Sequence, residues 1–152
     1  MFVVLLSAIL IIIDQFSKYL VVKFLKGASD LEIIKNFMWF SYTENTGAAF
    51  GILKDARILF IIITIVTLSL IFFYLFKYYS KMNLTVKICA SLVIAGIIGN
   101  FIDRLRLKYV VDFISTNFFG YSFAVFNLAD AFIVCGCFIL FIYSIYYERH
   151  AR

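Results

Sequence analysis

Proline is absent from all 152 residues, so no helix in this chain carries a proline kink. Histidine occurs once, as His150 in the terminal tail, and cysteine three times, as Cys89, Cys135 and Cys137, each within an apolar run. Cys135 and Cys137 sit two apart and so face different sides of a helix, a poor arrangement for a dithiol or a metal. Neither a zinc site nor a Cys–His or Ser–His pair can be assembled from these residues inside a membrane. No metal or cofactor is expected, and the cysteines read as small buried hydrophobes. Charge is scarce as well. Only 15% of residues are charged, against about 25% in soluble domains. The net charge of +5 is spread between apolar runs rather than gathered in a stripe, which excludes nucleic acid as a partner. The basic residues read instead as loop charges and lipid-headgroup contacts.

What fills the chain is apolar: 64% of residues are hydrophobic and the mean hydropathy is +1.02. Room exists for four spans of about 20 residues, and none of the chain reads as tail, repeat or low-complexity sequence. The expected fold is an all-α membrane protein. It is a single domain, 1–152, with four transmembrane helices near residues 2–25, 58–76, 86–102 and 127–147. The first run lacks a basic leader region and a small-residue cleavage site, so it reads as a permanent helix rather than a signal peptide. Residues 27–54 differ in kind, being mixed polar and aromatic with a turn signal at Glu44-Asn45-Thr46-Gly47. They read as a small β-rich element on the membrane surface after the first helix, with Phe37, Trp39, Phe40 and Tyr42 towards the headgroups. Residues 105–125 read as a short excursion, with a mobile segment near Phe118-Phe119-Gly120.

The acids are the informative residues. Asp14 and Lys18 interrupt the first span at i, i+4, the favourable order for a helical ion pair. Gly96, Gly99, Asn100 and Asp103 share a face of the third span, glycines allowing close approach and the polar groups offering interhelical hydrogen bonds. Asp112 lies between Val111 and Phe113, and Asp130 follows Asn127 by three at the mouth of the last span. Asn127-x-x-Asp130 is equally a helix cap and a catalytic pair of positions. Asp112 reads either as a loop acid or as a desolvated one. Two carboxylates brought close at a membrane edge share one proton, and such a pair hydrolyses peptides without metal, serine or cysteine. Asp130, at a helix N-terminus, is the better placed to hold the negative charge.

Five motifs occur in order: Asp14-Gln-Phe-Ser-Lys18, Asn45-Thr-Gly-Ala-Ala-Phe-Gly51, Gly96-Ile-Ile-Gly-Asn-Phe-Ile-Asp-Arg104, Val110-Val-Asp-Phe-Ile114 and Phe126-Asn-Leu-Ala-Asp-Ala131. Together they resemble the bacterial lipoprotein signal peptidases, or signal peptidase II, over nearly the whole chain. The resemblance implies an aspartic-type endopeptidase of the bacterial inner membrane with both termini cytoplasmic and the β-rich element and active site at the periplasmic face. It implies diacylglyceryl-prolipoprotein substrates cut just before the lipidated cysteine, with membrane lipid as surroundings; apart from the resemblance, a monomer is expected. Asp112 and Asp130 match the catalytic dyad. Asn45, Gly47, Asn100, Asp103, Arg104 and Asn127 match the polar frame, and Asp14 and Lys18 a supporting motif.

One count opposes that topology. Lys77, Lys81, Lys87, Arg149 and Arg152 fall on the side of the termini, whereas Lys23, Lys26, Lys35, Lys54, Arg57, Arg104, Arg106 and Lys108 fall on the other. Rival readings fit less well. A proton-coupled transporter would use Asp14, Asp103 and Asp130 as a relay but has no need of Asn45 or Asn127. Adjacent Ser17 and Lys18 point apart on a helix and cannot form a Ser–Lys pair. The Gly-x-Gly-Asp signature of presenilin-type proteases is missing. A purely structural subunit leaves the clustered polar residues without a role.

Overall fold

The computed structural model describes residues 1–48, 50 and 52–150, with the side chains of 148–150 outside the description. His150 therefore lies beyond the side chains that can be placed. Four helices are long and apolar enough to cross a membrane: α1 (Phe2–Leu25), α2 (Arg57–Tyr78, continued by a 3-10 turn at Tyr79–Lys81), α3 (Leu84–Arg106) and α4 (Leu128–His150). Between and after them run β1 (Leu31–Ile34), β2 (Met38–Asn45), β3 (Val110–Phe118) and β4 (Tyr121–Ser122), forming one antiparallel sheet in the order β1-β2-β3-β4.

The all-α expectation with a β element confined to residues 27–54 is therefore corrected. Half the strands of the sheet come from the stretch after α3. The reason lies in β3 itself. Val110 through Ile114 are all buried, so the strand lacks the in–out alternation that marks a half-exposed strand. The aromatic residues of β2 also divide. Phe40 and Tyr42, expected at the headgroups, turn inward with Met38 and pack on Val111, Phe113, Ile114 and Val21 of α1. The Phe40 and Phe113 rings meet edge-on at 5.8 Å. This apolar seam fastens the sheet to the end of α1.

α3 is the central helix. Cys89, Ser91, Ile94, Ala95, Gly96, Gly99, Asn100 and Asp103 are all buried, while α2 buries only Leu75. Small residues create that contact. A Cβ on Gly96 would overlap the carbonyl oxygen of Ala129 in α4, and one on Gly99 would meet Asp14 Oδ2 of α1 at 2.5 Å. Gly136 of α4 returns the fit, its α-carbon facing Cys89 and Val93. Cys135 and Cys137, expected to be buried, are exposed, and of the three cysteines Cys89 alone is interior. α3 also continues past Ile102 to Arg106, where Leu107 N–H donates to Asp103 O at 2.7 Å and Lys108 reverses the chain at φ 74°. That reversal sends the backbone straight into β3. At the far end of β3, Phe119 and Gly120 both take positive φ and close a two-residue hairpin.

Gly96→Ala should cost about 1–3 kcal/mol by overpacking the α3–α4 contact, read as a fall of several degrees in melting temperature in detergent. An unchanged midpoint would show that the two helices have slack at this point.

Candidate active site

Asp112 owes its position to strand pairing. It lies opposite Thr43 of β2, and a bulge sets Ser41 and Tyr42 together against Phe113. Asn45, two residues beyond Thr43 on the same face, reaches Asp112 diagonally across the sheet. Its Nδ2 donates to Asp112 Oδ2 at 2.7 Å, while its Oδ1 accepts from Gly47 N at 2.9 Å. Asn127 Nδ2 donates to the other oxygen of Asp112 at 2.6 Å. The carboxyl is 2% exposed. Burial pushes its pKa up to about 6; the Asn45 hydrogen bond opposes this, the charge of Asp130 adds to it, and the Asn127 bond opposes it again.

Asp130 is placed by a helix start. Asn127 Oδ1 accepts from Asp130 N at 3.0 Å, and Asp130 Oδ2 accepts from Asn127 N at 3.2 Å. This reciprocal pair is a capping box, the first of the two alternatives in the sequence reading. The other oxygen of Asp130 accepts from Asn100 Nδ2 of α3 at 2.7 Å. Asp112 and Asp130 are thus joined through the amides of Asn100 and Asn127, which meet at 3.1 Å, and not by a bond of their own.

Behind the amides lies a charged layer. Lys18 Nζ is 3.0 Å from Asp14 Oδ2, 3.0 Å from Asp103 Oδ2 and 2.9 Å from Asn100 Oδ1. Asp14 Oδ1 accepts from Ala129 N at 2.9 Å, and Asp103 Oδ2 from Val111 N at 3.2 Å. This layer ties α1 to α4 and α3 to β3. Arg104 donates to Gly47 O at 3.2 Å and lies over the Phe60 ring at 4.5 Å.

The ten residues singled out in the sequence therefore fall into one connected region. Asn45, Asn100 and Asn127 touch the aspartates, Asp14, Lys18 and Asp103 stand one layer back, and Gly47 and Arg104 brace the rim. Gln15 was missed, although it lies inside one of the quoted motifs. Its Nε2 donates to Asp14 Oδ2, Gly99 O and Asp103 Oδ1 at 3.0–3.2 Å. Only its i+1 place beside Asp14 hinted at this, and neighbours at that spacing do not face each other. Arg57 was missed also: it donates to the carbonyls of Arg104 and Leu105 at 2.8 and 3.2 Å.

Two hollows meet at Asp112. One, of about 540 Å³, takes in both aspartates, Asn45, Asn100 and Arg104, and continues along Ala131, Ile133, Val134 and Cys135 of α4. The other, of about 290 Å³, is bordered by Thr43 through Gly47, Phe50 and Lys54. Asn45, Gly47, Asp112, Ala124 and Val125 line both. Phe123 of the first and Phe50 of the second meet edge-on at 5.5 Å. Among the described residues, no three His, Cys, Asp or Glu side chains are grouped to hold a metal ion. The arrangement instead offers one buried carboxyl, one half-buried carboxyl and four N–H donors aimed at them, beside an apolar trough.

A family model described as signal peptidase (SPase) II matches residues 6–146. Among curated proteins, a lipoprotein signal peptidase of Enterococcus faecalis is 41% identical over 97% of this chain and 90% of its own length. One of Clostridium tetani is 45% identical, covering 89% of this chain and 86% of its own. A bacterial membrane enzyme solved by the in meso method at 2.3 Å superposes with a TM-score of 0.88 and 35% identity, covering 99% of this chain and 91% of that one. A second, at 1.9 Å, gives 0.80 and 38%, covering 92% and 90%.

Replacing Asn45 by leucine keeps Asp112 buried but removes a donor to its ionised form. The Asp112 titration, followed by infrared spectroscopy of its carboxyl stretch, should move above about 6 in Asn45→Leu. A downward move would mean that Asn45 does not favour the carboxylate.

Proposed function

The chain belongs to the signal peptidase II family, and from that premise we propose that it is an aspartic endopeptidase acting on diacylglyceryl-modified prolipoproteins. It cuts just before the lipidated cysteine. Removal of prolipoprotein signal peptides by a multi-pass membrane peptidase is the common ground of the family and the fold. The finer reading rests on one observation: Asp112 and Asp130 line a single hollow, bridged by amides, with burial pushing the Asp112 pKa up to about 6.

In the mechanism this geometry supports, Asp112 carries the shared proton and Asp130 the charge. Asp130 accepts the cap N–H of Asn127 and stands at the positive end of α4. It takes a proton from water, whose oxygen bonds to the scissile carbonyl carbon as Asp112 protonates the carbonyl oxygen. The carbon–nitrogen bond of the tetrahedral intermediate then breaks. Asp130 hands its proton to the leaving amine, and Asp112 recovers its own from the collapsing diol. The products are a signal peptide carboxylate and a lipoprotein whose N-terminal cysteine bears a free amine.

The two hollows divide the substrate between them. The hollow by Thr43–Gly47 takes extended peptide, and the trough along Ala131–Cys135 takes acyl chains from the bilayer. Arg104, with Asn45, Asn100 and Gly47, holds the peptide against the dyad. The sheet lies at the periplasmic face and both termini lie in the cytoplasm, within a single monomeric domain in the inner membrane. The charge count opposes this orientation less than it did. Lys26 is paired with Glu44 at 3.1 Å, Arg57 is spent on carbonyls of α3, and Arg104 faces Asp103, Asp112 and Asp130.

Asp112→Asn and Asp130→Asn should each lower kcat on a lipidated prolipoprotein by at least about 10³-fold, as for residues acting as a unit, with the melting temperature retained. Activity in either folded variant would remove that residue from the dyad. Chelators should leave the wild-type rate unchanged.

A further inference from the structure

Four N–H groups are aimed at the two aspartates, and three of them belong to side-chain amides. An amide can present either its nitrogen or its oxygen, so something must hold each the right way round. For Asn45 the holder is Gly47 N–H, and for Asn127 it is Asp130 N–H. Both are backbone donors on the local chain. Asn100 differs. Its Oδ1 accepts from Lys18 Nζ at 2.9 Å and from Asn127 Nδ2 at 3.1 Å. An ammonium has three donors and no acceptor, so the atom facing Lys18 must be oxygen and the nitrogen must face Asp130.

Lys18 spends its three donors on Asp14, Asp103 and Asn100 and is 3% exposed. The two aspartates hold the ammonium in place, and Gln15 locks them in turn. We propose that Lys18 is a positioning residue of the catalytic reaction: from the first helix it fixes the Asn100 amide so that its nitrogen donates to Asp130. Lys18 touches neither aspartate of the dyad. It acts through one amide, and the bond it secures steadies the carboxylate that takes a proton from water. This rests on the assignment of Asp112 and Asp130 as the dyad.

A plain ion-pair role for Lys18 predicts something else, namely that only stability suffers when it is lost. Lys18→Met alone would strand Asp14 and Asp103, two buried like charges. The informative variant is Lys18→Met combined with Asp103→Asn, which removes one charge of each sign. Five charged groups surround Asp130 in this comparison: Asp112 on β3, Arg104 and Asp103 on α3, and the Lys18–Asp14 pair behind Asn100 on the α1 side.

With lipidated prolipoprotein as substrate, the double variant should fold and keep KM within about twofold. Its kcat should drop about 100-fold, the scale of a misplaced group. The acid-side limb of its kcat–pH profile, where the dyad takes up a second proton, should move to higher pH by roughly one unit. Asp103→Asn with Lys18 present keeps the Lys18–Asn100 bond and should move the limb far less than the double variant does. A folded double variant with wild-type kcat and limb overturns the proposal. If the double variant does not fold, Lys18→Met combined with Asp14→Asn, which again removes one charge of each sign, is compared with Asp14→Asn instead. The proposal requires the first to move the limb further than the second, and equal shifts or the reverse order overturn it. Failure here leaves the dyad standing, because Asp112→Asn and Asp130→Asn test it independently.

Discussion

A lysine and two aspartates buried among transmembrane helices decide how this bundle is put together. Charge in that setting is expensive unless each group finds partners. Lys18 answers with three bonds to α1 and α3, Asp14 adds a backbone donor from α4, and Asp103 adds one from β3. Three helices and the central strand therefore converge on one polar knot. The glycines follow from it. Asp14 reaches Ala129 only because Gly99 leaves room beside its carboxylate, and α4 comes near enough only because Gly96 has no side chain. Helix association in lipid gains little from apolar burial, so close fit and hydrogen bonds must supply it. α2 makes the contrast. It has no part in the knot, Arg57 reaching only backbone carbonyls at the end of α3, and it buries Leu75 alone.

The same knot gives the aspartates unequal surroundings. Asp112 is enclosed by sheet and apolar side chains, and desolvation favours its neutral form despite two amide donors. Asp130 stands half-buried at a helix start with a backbone N–H and an amide on its oxygens. Such asymmetry would assign acid and base within the proposed dyad. The elements supply it at no separate cost: one carboxyl is on a strand and the other in the first turn of a helix.

Much of this was legible in the sequence. Asn127-x-x-Asp130 announced its capping box through spacing alone, and Gly96, Gly99, Asn100 and Asp103 announced a shared face through their periodicity. Short-range rules sufficed because each pattern is a spacing within one helix, whatever that face later meets. What stayed hidden depends on pairing between distant segments. β3 reads as a brief apolar excursion because a strand buried on both faces has no alternation to detect. Phe40 and Tyr42 read as interfacial aromatics because nothing local reveals that α1 passes beneath them. Gln15 reads as a bystander to Asp14, since its three acceptors include two on a helix more than eighty residues away. The charge count is blind in a related way: it treats Lys26, Arg57 and Arg104 as free loop cations, whereas each is engaged within the fold.

The sheet, finally, is what turns a charged knot into a site. A bundle of α1, α3 and α4 alone would hold Asp14, Lys18, Asp103, Asn100 and Asp130, but it would present one carboxylate to the cavity. Asp112 arrives on β3, which is anchored twice. Its Val111 N–H donates to Asp103, and its apolar face packs on Val21 at the end of α1. Phe126 O, just before α4 begins, accepts from both Phe113 N and Ile114 N. The segment that delivers Asp112 is therefore hydrogen-bonded to the one that delivers Asp130. Backbone rather than side-chain geometry fixes their relation, and the amides of Asn100 and Asn127 need only fill the gap between two carboxyls already set in place. Loosening the β3–Phe126 pairing would uncouple the aspartates even with every polar side chain intact.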